Sequence, residues 1–234
     1  MELTDAIKNK DFDGILNKQL WARSTEYTAL ATLKFCFPVE FKNLKHSESP
    51  DLQDLVNMYA VEVTEATSEI EARTIGNWLR LNQPESSPEE KERRRNNISS
   101  NGYDLKQDGM LLHPLREISD EQRVLTQALS NKLNKVTSYK MKGFISIDLF
   151  IDYEKPFISD DPKEVFDWMK STSKESEQRF NRVFIRYVGG LLILDFKKNK
   201  MSCIEISHED RYALGNLGRM AAEGEIKDDD PIWD

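Results

Sequence analysis

Apolar positions along this chain change period several times, and each change marks an element. Between about residues 15 and 35, Ala22, Glu26, Ala29 and Leu33 recur at steps of four, three and four. They share one helical stripe, so Glu26 sits among apolar neighbours. Pro38 stops that helix. Val39 to Leu44 alternates and reads as a strand, Ser47 to Pro50 as a turn, and Leu52 to Val56 and Met58 to Thr64 as two further strands. Short segments at such close spacing predict an antiparallel meander. Residues 66 to 81 read as a helix with Ile70, Ile75, Trp78 and Leu79 on its apolar side.

A polar stretch follows, from Gln83 through Asn97, and predicts an exposed insertion at about 83–110. Its Arg93-Arg94-Arg95 reads as a solvated face or as a phosphate contact. Leu111 to Leu115 returns to the core. From Ser119 to Tyr139 the pattern is helical, with Ser119 and Gln122 spaced as a capping box. Val124, Leu125, Ala128, Leu129, Leu133 and Val136 form its stripe, and Lys132 falls near the middle of it. Phe144 to Ile151 predicts a strand with Ile145, Ile147, Leu149 and Ile151 on one face. A short helix near 162–171 precedes strands at Val183 to Tyr187, Leu191 to Phe196 and Ser202 to Ile206. Gly189-Gly190 and Lys198-Asn199-Lys200 are the turns between them. This order predicts a mixed α/β domain over residues 1–206, helices packed on a central sheet, with a C-terminal helix and acidic tail over 207–234.

Composition narrows the classes. The 234 residues suffice for one substantial core. Apolar runs such as Val188 to Leu194 are too short to span a bilayer, and the start lacks the basic and apolar regions of a secretion signal. A cytoplasmic location without membrane contact is the expectation. The two cysteines, Cys36 and Cys203, do not make a disulfide framework and read as reduced, largely buried thiols. Net charge is −8, which argues against a non-specific nucleic-acid coat but leaves room for one local basic groove. The three histidines have no metal-ligand spacing, and no glycine-rich phosphate loop is present. Near the end, the aromatic of Trp233 in Pro231-Ile232-Trp233-Asp234 reads as a docking contact on the domain itself.

Two acids carry the chemistry. Asp51 follows a proline in Ser49-Pro50-Asp51-Leu52, and Glu62 lies inside the apolar run Tyr59-Ala60-Val61-Glu62-Val63-Thr64. A buried carboxylate costs several kcal/mol unless it is paired, hydrogen-bonded or bound to metal. Two that converge can hold a hard divalent cation. The same residues have plainer readings. Asp51 suits a turn, Glu62 could pair with a lysine, and Glu26 could pair with Arg23 or Lys34. Lys132 could snorkel to water on its four-carbon stem.

The order of helix with Glu26, strand meander, Pro50-Asp51, then Val61-Glu62-Val63-Thr64 and a helix resembles the PD-(D/E)XK superfamily of restriction-endonuclease-like nucleases. Together with the later Leu129-Ser130-Asn131-Lys132-Leu133-Asn134-Lys135-Val136, it resembles bacterial and phage-linked members with a Glu-x-Thr variant. That resemblance covers about residues 15–80 and 119–151. It implies a restriction-endonuclease-like mixed sheet flanked by helices, and Mg²⁺ (or Mn²⁺) held by Asp51 and Glu62. Glu26 would touch the metal or its water. The motif lysine should stand at Thr64, whose hydroxyl carries no charge. Some members move this lysine to a neighbouring helix, and Lys132 is the candidate here; Lys135 and Lys140 lie nearer the edge of the stripe. The implied activity is hydrolysis of phosphodiester bonds in DNA or RNA, in a setting of host–phage conflict. Nucleases of this kind often dimerise to cut both strands, so a homodimer fits the resemblance, although no residue pattern specifies an interface. A catalytically inactive fold that binds nucleic acid or protein, or an acidic inhibitor of a nucleic-acid enzyme, are the rival readings.

Overall fold

The structure, a computed structural model, describes all residues except 1–2, 13–15, 82–85, 107–108, 160, 175–177 and 234. Residues 83–85 and 107–108 of the expected insertion, and Asp234 of the tail, therefore lie outside the described residues. In chain order the elements are α1 (Asp5–Lys8), α2 (Lys18–Cys36), β1 (Lys45–His46), β2 (Leu52–Asp54) and β3 (Tyr59–Glu65). Next come α3 (Glu69–Leu81), α4 (Pro88–Ser100), β4 (Asp104–Leu105), β5 (Leu111–Leu112) and α5 (Ile118–Met141). They are followed by β6 (Ser146–Asp152), α6 (Pro162–Lys174), β7 (Arg182–Tyr187), β8 (Gly190–Asp195), β9 (Lys200–Glu205) and α7 (His208–Glu223). A single 3₁₀ turn, Pro231–Trp233, closes the described chain. No helix among the described residues is long and apolar enough to cross a membrane.

The chain divides into two compact units, one of residues 1–66 and 125–234, the other of residues 67–124. The first holds a seven-stranded mixed sheet in the order β1-β2-β3-β6-β7-β8-β9, flanked by helices. The central strands β3, β6 and β7 run parallel, and the outer pairings are antiparallel. Parallel strands are covered on both faces, and β6 shows it: every residue from Ile147 to Ile151 is buried. The expected one-sided alternation of β6 therefore does not hold, and Ile145, just before the strand, is exposed. On one face, Val61, Val63, Phe150, Phe184, Leu191 and Ile193 pack with Leu30 and Leu33 of α2 and Leu214 and Leu217 of α7. Gly218 lets α7 lie directly on α2. A methyl group there would stand only 2.7 Å from Thr28 N and 2.8 Å from Ser24 O.

Local chemistry sets the ends of α2. The side chain of Asn17 accepts from the N–H groups of Gln19 and Leu20, both at 3.0 Å. Phe37, forced out of helical geometry by the following proline, ends it. The strand expected at 39–44 is instead a run of turns. Val39 is exposed while Phe41 and Leu44 are buried, a spacing of three that suits a turning chain rather than a strand. The start of α5 also differs from expectation. Ser119 lies within the first turn, and it is Asp120 Oδ2 that accepts from the Glu117 N–H, at 3.4 Å.

The polar stretch expected as an exposed insertion carries regular structure in the second unit. Ser87 caps α4, with Pro88 at its first position, and the β4–β5 hairpin follows. Leu81, Ile98 and Tyr103 form a small core with Trp78, Leu105 and Leu111 around it. Arg94 donates to the Arg80 carbonyl and to Ser86 Oγ, both at 2.6 Å, while Arg93 and Arg95 are exposed. The boundaries of this unit are wider than the expected 83–110. Within residues 207–234, α7 and Trp233 belong to the core of the first unit. Of the two thiols, Cys203 is exposed on the edge strand β9, contrary to expectation, and Cys36 is half-buried.

One buried charge ties β3, β6 and β7 together at one end. Asp148 is fully buried and accepts from Arg182 Nε at 2.7 Å, from the Arg182 backbone N–H at 3.0 Å and from the Tyr59 hydroxyl. Arg182 also pairs with Glu40 at 2.7 Å and lies 4.9 Å from the Phe184 ring centroid. Removing one partner of such a buried pair leaves the other charge without compensation. Arg182→Met is therefore expected to lower stability by about 3–5 kcal/mol in urea titrations. Arg182→Met with Asp148→Leu is expected to recover part of that loss.

Candidate active site

The period-two alternation of β3 sends Val61 and Val63 into the apolar core beside α2 and turns Glu62 to the opposite face. There Glu62 is almost fully buried. Two residues of α5 meet it. Lys132 Nζ donates to Glu62 Oε1 at 2.7 Å, and the Tyr139 hydroxyl donates to Oε2. Lys132 and Tyr139 are seven residues apart, two helical turns, so both project to one side of the helix. Burial and the Glu62 carboxylate push the Tyr139 phenol above its ordinary pKa, so it stays a donor.

Asp51 arrives from the other direction. Leu52 pairs with Val61 across the β2–β3 ladder, which places Asp51 opposite the following residues of β3. Asp51 Oδ2 accepts from the Val63 backbone N–H at 2.7 Å. Its pKa is pushed up to about 6, first by burial and next by the Glu62 charge. The Val63 N–H and Lys132 oppose that rise, and Glu26 adds to it. The preceding loop is held from just past the end of α5: Lys142 Nζ donates to Ser49 O at 3.0 Å and to Ser49 Oγ at 3.1 Å.

Glu26 stands on α2, with His46 Nε2 2.7 Å from its Oε2. Its hydrogen-bond partner is His46, and its charge is also felt by Arg23, one of the partners suggested by the plainer reading. Arg23 reaches the Tyr27 hydroxyl, and Lys34 donates to the carbonyls of Lys42 and Trp233. Lys132 does not snorkel away, since its ammonium ends on Glu62. Asp51 bonds across strands to β3. Lys135 and Lys140 are exposed. Thr64 follows Glu62 on the same face by alternation and is half-buried.

Asp51, Glu62 and Lys132 therefore gather at one place, and the charge of Glu26 reaches it. Sequence reasoning missed two members. Tyr139 stood at the end of the α5 stripe, where an aromatic reads as core, and only its hydroxyl contact gives it a role. His46 had no spacing to any acid that would have linked it to Glu26. Among the described residues no group of three or more His, Cys, Asp or Glu side chains is arranged to hold a metal ion by itself. Mg²⁺ asks for less, since it commonly binds through one or two carboxylates and keeps several waters. The donors Asp51 and Glu62 fit that demand. Asp51 in particular is a half-buried carboxylate repelled by two neighbouring acids, and a cation would relieve it. No protein-family model, curated protein or solved structure matches this chain.

The raised pKa of Asp51 has a consequence for stability. Below about pH 4 this carboxyl is protonated in the folded and unfolded chain alike. Between about pH 4 and 6 the unfolded chain loses the proton while the folded chain keeps it, so stability falls as pH rises. Asp51→Asn retains the acceptor for Val63 and removes the charge. It is expected to raise stability by about 2–3 kcal/mol at pH 8 and to have little effect near pH 4. Urea titrations of both proteins across that range, without divalent metal, measure the difference.

Proposed function

We propose that this chain is a Mg²⁺-dependent nuclease of the PD-(D/E)XK, restriction-endonuclease-like kind, acting on phosphodiester bonds of DNA or RNA. The observation that carries this reading is the contact of Lys132 with Glu62 beside Asp51, which is anchored at Val63. An ammonium from α5 supplies the positive charge that Thr64 lacks. Asp51 and Glu62 are the residues that would hold the metal. The chemistry Mg²⁺ supplies when bound is polarisation of a phosphoryl oxygen and a lower pKa for its water. The chain's own part is to place charge. Lys132 offers a donor to a developing negative charge, Tyr139 keeps Glu62 oriented from its second oxygen, and the Val63 N–H fixes one oxygen of Asp51. The implied partner is nucleic acid, met in the setting of host–phage conflict that the motifs suggest.

One observation favours the rival reading, an inactive fold of the same kind that binds nucleic acid or protein. Both oxygens of Glu62 already have partners in Lys132 and Tyr139. Metal binding then requires that one of these contacts be shared or released.

The test is incubation of the chain with supercoiled plasmid, single-stranded DNA and RNA in Mg²⁺, Mn²⁺ or EDTA. Cleavage is expected only with metal and is expected to vanish in Asp51→Asn and Glu62→Gln. Lys132→Met is expected to slow it by about 10²–10³-fold, the scale for loss of one charge-stabilising donor. Retained nucleic-acid binding without cleavage supports the inactive fold. Cleavage that survives Asp51→Asn or Glu62→Gln rejects the metal-centre reading.

A further inference from the structure

Resting on the metal-centre reading, we infer that His46 is a positioning residue that fixes Glu26 as the outer carboxylate of the site, and that Tyr27 and the C-terminal segment hold His46 in place. Two separate restraints define the His46 ring. Its edge meets Glu26, with Nε2 2.7 Å from Oε2. Its face lies on the Tyr27 ring, with centroids 4.3 Å apart and an interplanar angle of 19°. A histidine that only filled space would need one of these. Both together determine where the ring stands and which nitrogen faces the acid.

Tyr27 is fixed in turn. Its ring is buried, and its hydroxyl donates to Asp228 Oδ1 at 2.6 Å. The Arg23 guanidinium donates to the Tyr27 hydroxyl oxygen at 3.3 Å. Trp233 packs behind it, with ring centroids 5.9 Å apart. Trp233 is secured by its own Nε1 donating to Lys227 O at 2.9 Å, and by Lys34 Nζ donating to its carbonyl at 2.8 Å. The acidic segment is thus folded onto α2, and the chain of contacts runs Trp233, Tyr27, His46, Glu26.

A glutamate alone on a helix samples several rotamers, and ordering it costs side-chain entropy. The stacked histidine removes that freedom before any cation arrives. Glu26 lies near enough to Asp51 for its charge to be felt there. Partners that hydrogen-bond a metal-site carboxylate from outside typically contribute 10–100-fold to metal affinity.

The experiment measures Mn²⁺ binding to the full chain by electron paramagnetic resonance, independent of cleavage. Wild type should bind Mn²⁺, with binding weakened in Asp51→Asn and Glu62→Gln. His46→Ala should weaken it by about tenfold or more, and His46→Gln, which can still donate to Glu26, should restore most of the affinity. Tyr27→Leu should resemble His46→Ala, whereas Tyr27→Phe, which keeps the stack, should lie closer to wild type. The decisive comparison is a cycle: if His46 acts through Glu26, adding His46→Ala to Glu26→Gln produces no further loss. Urea midpoints and circular dichroism establish that each variant is folded, and His46→Phe, which keeps the stack on Tyr27 but cannot donate to Glu26, takes the place of His46→Ala if that variant is not. Wild-type affinity in both His46 variants, or an additive loss in the double mutant, overturns the role of His46 while leaving the metal centre intact. No Mn²⁺ binding by wild type overturns both.

Discussion

Glu62 sits in the middle of a parallel strand with almost no access to water, and a carboxylate in that position dictates what surrounds it. Its desolvation must be offset by charge and hydrogen bonds from an element that crosses the same face. Helix α5 supplies both, using two side chains two turns apart, Lys132 for one oxygen and Tyr139 for the other. That requirement fixes which side of α5 faces β3. The apolar residues Leu125, Leu129, Leu133 and Val136 are buried along the same helix. Core and site therefore share one helix.

The meander edge completes the constellation. Strand β1 has two residues and β2 has three, so the sheet thins where Asp51 enters it. Short edge strands leave backbone and side-chain groups within reach of solvent while limiting edge-to-edge pairing. Asp51 takes the Val63 N–H on one side and feels the charge of Glu62 on the other. Glu26 and His46 reach the same edge from α2 and β1. A site at a sheet edge can be buried enough to shift an acid while leaving that acid partly exposed, as at Asp51. The nuclease reading draws on both properties.

Charge explains a second feature. The chain is acidic overall, yet its acids are not left to repel freely. Asp148 is enclosed by Arg182 and Tyr59, Asp152 by Arg186 at 2.9 Å, and Asp228 by the Tyr27 hydroxyl. The C-terminal acids thus serve a docked segment in which Trp233 is buried. Burial disfavours the ionised form of Asp51 while leaving it partly exposed, and does the same for Asp152 despite its Arg186 partner; groups so placed are candidate functional positions.

Much of this was legible in the residues themselves, because it depends on local periodicity and local chemistry. The stripe of α5, the placing of Lys132 within it, the alternation that isolates Glu62 among valines, and the punctuation at Pro38 all follow from 3.6-residue and two-residue repeats. The mixed α/β class and the docking of Trp233 were legible for the same reason. What failed was local pattern overridden by packing. Residues 39–44 alternate like a strand but turn so that Phe41 and Leu44 reach the core. The polar stretch after α3 forms α4 and a hairpin around a small core that its composition does not advertise. Only the tertiary structure decided that Lys132 ends on Glu62 and not in water, that Tyr139 joins it, that Glu26 chooses His46, and that Asp51 anchors to Val63. Those contacts join residues from 12 to 77 positions apart. No repeat along the chain encodes such a separation; it comes into being when the sheet register and the helix rotation are settled together.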